Sequence, residues 1–228
     1  MNRVWSGAPA LLSWQGLRVR VAPKLAGIGA GDHVALTFDD GPGRGSTPAF
    51  LDRLAARRVR ATFFMLGSQI RQNAVLACEV AAAGHEIALH GYDHRCLLIR
   101  STEAVRDDLR RGYDTIGGLI GVVPRWWRPP YGVLTRTSLR ASGQLGLQPV
   151  LWTAWGRDWT RSATAGSVYA RVRRDLRGGG TVLLHDSDFT AAPGSWRSTL
   201  GAIDQVIDRC AEQGWRIGPL ADHGIDRD

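Results

Sequence analysis

Two adjacent carboxylates stand where an apolar stretch gives way to a turn. Asp39 and Asp40 follow the run Val-Ala-Leu-Thr-Phe and precede Gly-Pro. Burying a carboxylate costs several kcal/mol unless it is paired or metal-bound, so a packed core gains nothing from two of them at a strand end. An Asp-Gly-Pro turn explains the same residues more simply. The acidic pair alone leaves a charged site and a plain turn equally open.

A histidine pair favours the charged site. His90 and His94 are spaced i to i+4 in the run HGYDH, which puts two imidazoles on one side of a helical turn or tight loop. A carboxylate from another strand would complete a facial triad that leaves coordination positions open for water and substrate. Isolated HxxxH pairs are frequent, but this one accompanies an acidic pair and a further strand-end histidine, His185. Together, Asp39, Asp40, His90 and His94 could supply a base and three metal ligands.

Length and composition are typical of a single domain with a sizeable core. The chain has 228 residues, is 44% hydrophobic and carries a formal net charge of +8. Barrels of the α/β class commonly remain one domain at this length. Acidic residues are interleaved with arginines, as in residues 106–111, which predicts a solvated helix face with local ion pairs and no nucleic-acid stripe. Attraction to anionic cell-envelope polymers stays open.

The cysteines predict no disulfide framework, and the N-terminal residues predict no membrane anchor. Cys78, Cys96 and Cys210 are widely spaced without a CxxC pair, so we expect free thiols and no thiolate zinc site. The apolar stretch at residues 8–14 is too weak for a signal peptide, and no segment approaches the roughly 20 apolar residues of a membrane span. We expect a cytoplasmic or cell-envelope-associated protein without stable membrane insertion.

Short apolar runs alternate with longer helical patterns. The predicted strands are 33–39, 59–66, 86–91, 125–128, 148–155, 180–186 and 215–219. The predicted helices are 47–57, 70–83, 102–120, 133–145, 164–177 and 197–213. Several strands are apolar throughout, so both of their faces should be covered, as in a parallel α/β barrel. We expect an N-terminal extension at residues 1–30, one main domain at 31–221 and a polar tail at 222–228.

Functional groups in such barrels collect at the carboxyl ends of the strands. The notable polar residues of this chain obey that rule, and they are Asp39, Asp40, His90, Arg128, Asp158, His185 and Asp186. Their convergence on one rim is hard to attribute to chance. The sequence therefore predicts a functional site at this end of the barrel.

The motifs resemble those of the polysaccharide deacetylase family, the NodB-homology domain of carbohydrate esterase family 4. The resemblance covers roughly residues 32–221, with the motifs in the family's order. It implies an α/β fold, a distorted seven-stranded (β/α) barrel of the NodB type. It also implies an enzyme that removes N- or O-acetyl groups from sugar polymers. It also implies a divalent metal, Zn²⁺ first, with Co²⁺, Ni²⁺, Mn²⁺ or Fe²⁺ as other options.

The first three family motifs imply a metal centre and its base. The TFDD motif implies a catalytic base at Asp39 and a metal ligand at Asp40. The His-x-x-x-His motif implies His90 and His94 as the other two ligands. The arginine of the family's Arg-x-Pro motif holds the base carboxylate, and Arg128 occupies its place.

The remaining motifs imply acid catalysis and substrate contacts. The backbone N–H of Tyr131 is implied to help bind the oxyanion. Asp158 and Trp159 match the end of the family's Asp-x-x-Asp-Trp motif. We assign Asp158 to catalysis and Trp159 to substrate binding. In the Leu-x-His motif, Leu183 is implied to line the acetyl pocket and His185 to act as the general acid.

Two positions depart from the family pattern. Gly91 stands where the family commonly has Ser or Thr, which removes a hydroxyl that would support the metal loop. Trp155 replaces the first Asp of the Asp-x-x-Asp-Trp motif, a carboxylate that supports the acid histidine. We therefore expect His185 to be less readily protonated at neutral pH. Three carboxylates could substitute, and the sequence does not choose among them: Asp158, Asp186 and Asp188.

Tryptophans near strand ends could stack on sugar rings, although core packing is the commoner fate of each. They are Trp126, Trp127, Trp152, Trp155, Trp159 and Trp196. Trp159 and Trp196 are the better groove candidates, the latter because it closes the long loop after Asp186. The histidines outside the motifs, His33, His85 and His223, are expected to be structural or exposed.

The function that follows is metal-dependent N-deacetylation of a GlcNAc-containing glycan or glycoconjugate. An O-acetyl esterase of the acetylxylan type and a cyclic-amide hydrolase are alternatives on the same barrel. A non-haem iron oxygenase shares the ligand set of one Asp and two His, but usually sits on an all-β scaffold. A catalytically weak glycan-binding homologue is the last alternative. The acetylated polymer, the native metal and the oligomeric state stay open.

Overall fold

The computed structural model describes residues 15–225 of the chain. The strands are β1 (His33–Asp39), β2 (Thr62–Met65), β3 (Glu86–Leu89), β4 (Trp126–Trp127), β5 (Gln148–Pro149), β6 (Ala154–Trp155), β7 (Thr181–His185) and β8 (Arg216–Gly218). The helices are α1 (Gln15–Val21), α2 (Pro23–Ala26), α3 (Thr47–Arg57), α4 (Gly67–Gln72), α5 (Ala74–Ala82), α6 (Thr102–Ile120), α7 (Arg136–Gln144), α8 (Ala165–Asp175) and α9 (Trp196–Glu212).

All strand pairs in this part of the chain are parallel. The order is β5-β4-β3-β2-β1-β7-β6, and β8 pairs with the first half of β1. Strand β1 lies at the centre, and all seven of its residues are buried, as its apolar sequence predicts for a strand covered on both faces. The predicted distorted (β/α) barrel is confirmed.

The prediction of one strand over 148–155 is wrong in detail. Its two ends form β5 and β6, which lie at opposite edges of the sheet. The backbone N–H of Val150 donates to Trp127 O, and that of Thr153 donates to Thr181 O, both at 2.9 Å. Between them, Leu151 donates to Leu25 O, outside the sheet. A single segment therefore runs from one edge of the sheet to the other, and within residues 15–225 the sheet has eight short strands where seven were predicted.

The other predicted elements are found with small shifts. The helix predicted at 70–83 is two helices, α4 and α5, which meet at Asn73. The side-chain amide of Asn73 donates to Pro42 O and Gln69 O, so it ties this junction to the turn after β1. Helix α6 begins where Ser101 Oγ accepts the backbone N–H of Ala104.

The described residues that precede and follow the barrel in the chain pack against it. Arg18 of α1 is 1% exposed and donates to Trp152 O at 2.8 Å. The carbonyl of Gly27 accepts the hydroxyl of Thr181 at 2.7 Å. At the other end, His223 Nδ1 lies 2.9 Å from His33 Nδ1, and both rings are buried. These two histidines are structural, as expected, while domain boundaries at 30 and 222 stay predictions.

The core lies between the sheet and its helices. Phe38 of β1 stacks against Phe50 of α3 and Phe63 of β2 with ring centroids 5.3 and 5.1 Å apart. Each such side chain contributes about 1.5 to 3 kcal/mol on full burial. The three cysteines are free thiols. Within residues 15–225, no helix is long and apolar enough to cross a membrane.

Candidate metal centre and active site

Asp40, His90 and His94 converge at the carboxyl end of the sheet. Asp40 follows β1 and His90 follows β3, so parallel pairing brings both to one edge. Asp40 Oδ1 lies 3.3 Å from Nε2 of each histidine. One ligand atom from each of the three residues lies within 4.8 Å of the others. The predicted ligands are therefore in one place.

The hydrogen bonds of these residues fit a cation site. His90 Nδ1 donates to Arg128 O at 2.8 Å, which leaves the lone pair of Nε2 directed at Asp40. Asp40 Oδ1 and His94 Nδ1 are buried and have no hydrogen-bond partner in the described part of the chain. A carboxylate oxygen and two imidazoles suit Zn²⁺ and related divalent ions. The residues present thus fit the metal that the family implies.

The electrostatics keep Asp40 ionised and His94 neutral, the forms in which both could bind a cation. Burial alone would raise the pKa of Asp40, but the neighbouring His90 and the charge of His185 hold it well below its ordinary value. Burial, assisted by His90, lowers the pKa of His94 to about 4, so its imidazole is neutral at pH 7. Burial also opposes a proton on His90, although Asp39 and Asp40 outweigh it and raise that pKa.

Asp39 lies beside the triad and is held by Arg128. Arg128 Nη1 donates to Asp39 Oδ1 at 2.6 Å and to Thr37 Oγ1 at 2.8 Å. The guanidinium also donates to the carbonyls of Val150 and Leu151 and is fully buried. The other carboxylate oxygen, Asp39 Oδ2, is 3.7 Å from His90 Nε2. It is thus free to act on a molecule near the metal position.

His185 and Asp158 form a second charged pair. Asp158 Oδ1 accepts His185 Nδ1 at 2.8 Å, while its Oδ2 accepts the His185 backbone N–H and the Thr199 hydroxyl. Burial opposes a charge on His185, but Asp158 and the nearby carboxylates outweigh it and raise its pKa to about 10. The expectation that Trp155 leaves His185 less readily protonated is wrong, because Asp158 supplies the carboxylate.

The other two candidate carboxylates have different partners. Asp186 is buried and accepts the hydroxyl of Thr47. Asp188 accepts the backbone N–H of Gly194 within the following loop. Neither hydrogen-bonds to His185 in the described structure. The choice that the sequence left open thus falls on Asp158.

Tyr131 lies at a turn whose backbone geometry is unusual. Its φ of 60° is in the left-handed region, and its side chain is 63% exposed with the ring 4.7 Å from that of His94. The next residue, Gly132, also has positive φ, and a Cβ there would lie 2.6 Å from the Trp152 ring. The turn after β4 is therefore fixed by close packing and holds Tyr131 at the metal site.

A cavity of about 260 Å³ connects these groups to three tryptophans, Trp152, Trp155 and Trp159, which we call the tryptophan wall. Its lining includes Asp39, His90, His94, Tyr131, Trp152, Trp155, Trp159, Leu183, His185 and Thr190. The rings of Trp152 and Trp155 are 5.8 Å apart, those of Trp155 and Trp159 5.3 Å, and Trp159 lies 5.7 Å from His185. The wall is half-buried, and all three of its tryptophans line the cavity.

Some residues in and around the cavity differ from the sequence prediction. Trp152 packs against the hydrophobic core, as favoured, and also lines the cavity, whereas Trp155 lines the cavity although core packing was favoured for it. Trp196, a predicted groove residue, instead packs against the hydrophobic core at the start of α9. Thr190 was missed, and its hydroxyl donates to Asp40 Oδ2. Its only sequence signal was its place in the loop after His185.

The fold and the site define a parallel (β/α) barrel with an Asp-His-His centre and an Asp-supported histidine. Residues 27–150 match the sequence profile of the family described as polysaccharide deacetylase. The chain belongs to this family. Membership in a family of parallel βα barrels disfavours the non-haem iron oxygenase interpretation, which expects an all-β scaffold.

Two curated relatives illustrate this membership. The peptidoglycan-N-acetylglucosamine deacetylase PgdA of Listeria monocytogenes is 31% identical over 86% of this chain. The chain spans only 39% of the length of that protein. The chitooligosaccharide deacetylase of a Bradyrhizobium species is 34% identical over 82% of this chain and 88% of its own length.

A solved structure supports the same fold. The family 4 carbohydrate esterase from Streptomyces lividans, in complex with acetate, superposes with a TM-score of 0.74 at 31% sequence identity. The match covers 83% of this chain and 93% of that one. The barrel described above is therefore the fold of this esterase family.

Proposed function

We propose that the protein is a metal-dependent hydrolase that removes N-acetyl groups from a GlcNAc-containing polysaccharide or glycoconjugate. The observation that carries the proposal is that a base, Asp39, and an acid, His185, line one cavity with two histidines of the triad. Relatives named as deacetylases of peptidoglycan GlcNAc and of chitooligosaccharides support the choice of substrate class.

The ligands in this proposal are Asp40, His90 and His94. A divalent cation bound there, with Zn²⁺ the first choice, polarises the acyl carbonyl and lowers the pKa of water. The hydrogen bond from His90 to Arg128 O fixes the ring that would bind it. Thr190 fixes the second oxygen of Asp40 in the same way.

Asp39 acts as the general base. The guanidinium of Arg128 fixes Asp39 Oδ1 by a charge-assisted hydrogen bond, which orients the other oxygen toward the cavity. Asp39 takes a proton from water as the water oxygen bonds to the acyl carbon. The backbone N–H of Tyr131 donates to the oxyanion that forms, a contact of a kind worth about 3 to 4 kcal/mol.

His185 acts as the general acid. The C–N bond of the amide breaks, and the nitrogen leaves with the proton that His185 donates, so the products are acetate and a free amine. A positioned acid of this kind typically contributes about 10² to 10⁴-fold. Asp158 keeps the imidazole protonated and aimed through its 2.8 Å hydrogen bond. This acid suits an amide, since an unprotonated amine is a very poor leaving group.

Leu183 and Trp159 are the proposed substrate contacts. Both line the cavity beside His185. A small apolar side chain such as leucine suits an acetyl methyl group, whereas an indole face suits the apolar face of a sugar ring. These two contacts together suit a substrate whose sugar ring carries an acetyl group.

Acetate release from defined glycans tests this function. The zinc-loaded protein is incubated with N-acetylated chitooligosaccharides, peptidoglycan and acetylxylan, with and without a chelator. We expect acetate from the N-acetylated glycans only, and loss of release on chelation that added zinc reverses. Release from acetylxylan alone would favour the O-acetyl esterase. Glycan binding without any acetate release would favour the catalytically weak homologue.

A further inference from the structure

A cationic side chain stacks on the tryptophan wall of the cavity, although it is not itself among the lining residues. The guanidinium carbon of Arg157 lies 4.7 Å from the ring centroid of Trp155, the middle tryptophan of the wall. Trp155 lines the cavity, and Arg157 is exposed. A guanidinium over an indole is an attractive pairing that restricts the arginine. The charge is thus held on an indole that lines the cavity.

The backbone around Arg157 is fixed on both sides. Arg157 has a φ of 49°, a left-handed conformation that non-glycine residues rarely adopt. The N–H of Gly156 donates to Leu183 O at 3.3 Å, and the next residue, Asp158, is bonded to His185. The carbonyl of Arg157 accepts Arg171 Nη1 at 3.4 Å. The chain therefore presents Arg157 at a defined position relative to the acid histidine.

The charge of Arg157 has no acidic partner in the described part of the chain. Arg53, Arg57, Arg100 and Arg128 all form ion pairs there, whereas Arg157 and its neighbour Arg171 form none. Stacking on an indole leaves the N–H edges of a guanidinium available for a carboxylate. The Asp that the family usually has at position 155 would place a negative charge beside this guanidinium. Trp155 supplies an indole face in its place.

We propose that Trp155 and Arg157 form a subsite for a carboxylate-bearing glycan. The indole packs against a sugar ring, and the guanidinium binds a carboxylate carried by that ring or the next one. This inference rests on the proposed function and narrows it, since it selects acidic N-acetylated glycans, of which peptidoglycan strands are an example, over neutral ones. The positive charge of the whole chain, +8, favours the same class of polymer.

A matched pair of substrates tests the subsite. The first is a peptidoglycan tetrasaccharide with free lactyl carboxylates, and the second is the same tetrasaccharide with those carboxylates converted to methyl amides. Steady-state acetate release is measured with the zinc-loaded wild-type protein, Arg157→Gln and Arg140→Gln. The last variant removes the same charge from an exposed position on α7 that does not line the cavity.

We expect the wild-type protein to favour the free carboxylate about 10-fold in kcat/KM, mainly through KM, as one charge-assisted hydrogen-bonded pair provides. Arg157→Gln should reduce this ratio to near 1, and Arg140→Gln should retain it. Equal use of both substrates by the wild-type protein overturns the subsite. A ratio that survives in Arg157→Gln, or that falls equally in Arg140→Gln, overturns it as well.

Binding separates this inference from the proposed function. Tryptophan fluorescence is titrated with each tetrasaccharide, and this readout needs no turnover. A preference for the free carboxylate that depends on Arg157 supports the subsite even if no acetate is released, in which case the proposed function alone fails. Equal dissociation constants with active turnover leave the proposed function standing and reject the subsite.

Discussion

A Cβ atom on Gly91 would lie 2.7 Å from Oδ2 of Asp108. Asp108 is a buried carboxylate of α6 that accepts the backbone N–H groups of Tyr92 and Asp93 at 3.1 and 3.3 Å. Arg100 donates to the same carboxylate at 3.0 Å. Asp108 thus holds the loop between the two histidine ligands, where the family resemblance implied a hydroxyl at position 91. Gly91, which has no Cβ, leaves room for the Asp108 carboxylate.

Asp108→Ala is expected to weaken metal binding by about 10 to 100-fold, because residues that orient metal ligands typically have effects of that size. Two backbone N–H groups of the loop lose their acceptor. Zinc affinity is measured by competition with a chromophoric chelator. Asp107→Ala is the control, since Asp107 lies on the exposed face of the same helix. Equal affinities of the two variants would show that Asp108 does not position the loop.

His94→Ala is expected to lose both the metal and activity, whereas Asp39→Asn should keep the metal and lose turnover. The first change removes a ligand, and the second keeps the shape of the base but cannot take a proton. Metal content is measured by mass spectrometry after dialysis, together with acetate release. The control is His85→Ala, a histidine outside the cavity lining that should retain its metal. Turnover near the wild-type rate in Asp39→Asn would remove Asp39 from the base role.

Asp158→Asn is expected to move the alkaline limb of the kcat/KM profile to lower pH. A general acid works only while protonated, and Asp158 helps raise the pKa of His185 to about 10. Without that negative charge the pKa falls, so the acid form is lost at a lower pH. We expect a shift of at least about 1 pH unit, given the size of effects from adjacent charges. Asp188→Asn, which does not touch His185, should leave the limb unchanged.

Arg18→Ala is expected to lower the free energy of unfolding by about 1 to 3 kcal/mol, because it leaves Trp152 O without its charged donor. Arg18 is buried against the barrel, so its packing is lost as well. The free energy is measured by urea denaturation. Arg20→Ala is the matched control on the exposed side of the same short helix. A loss no larger than the control's would mean that α1 adds nothing to the stability of the barrel.

Much of the fold followed from local patterns. Strand β1 and helices α3 and α6 have the predicted bounds, because a continuous apolar run and a 3.6-residue periodicity are properties of neighbouring residues. The region 148–155 did not follow in the same way. Its apolar sequence suits a strand, but whether it pairs with β4, β7 or Leu25 depends on residues far away in the chain.

The sequence by itself determined the chemical types at the site and their common edge. Asp40, His90 and His185 each stand at the end of an apolar run, and parallel strands bring such ends together. Only the tertiary structure decided which carboxylate supports His185, which tryptophans line the cavity, and that Asp108 occupies the space beside Gly91. These are contacts between distant segments, set by side-chain packing within a few ångströms, and no local spacing rule encodes them.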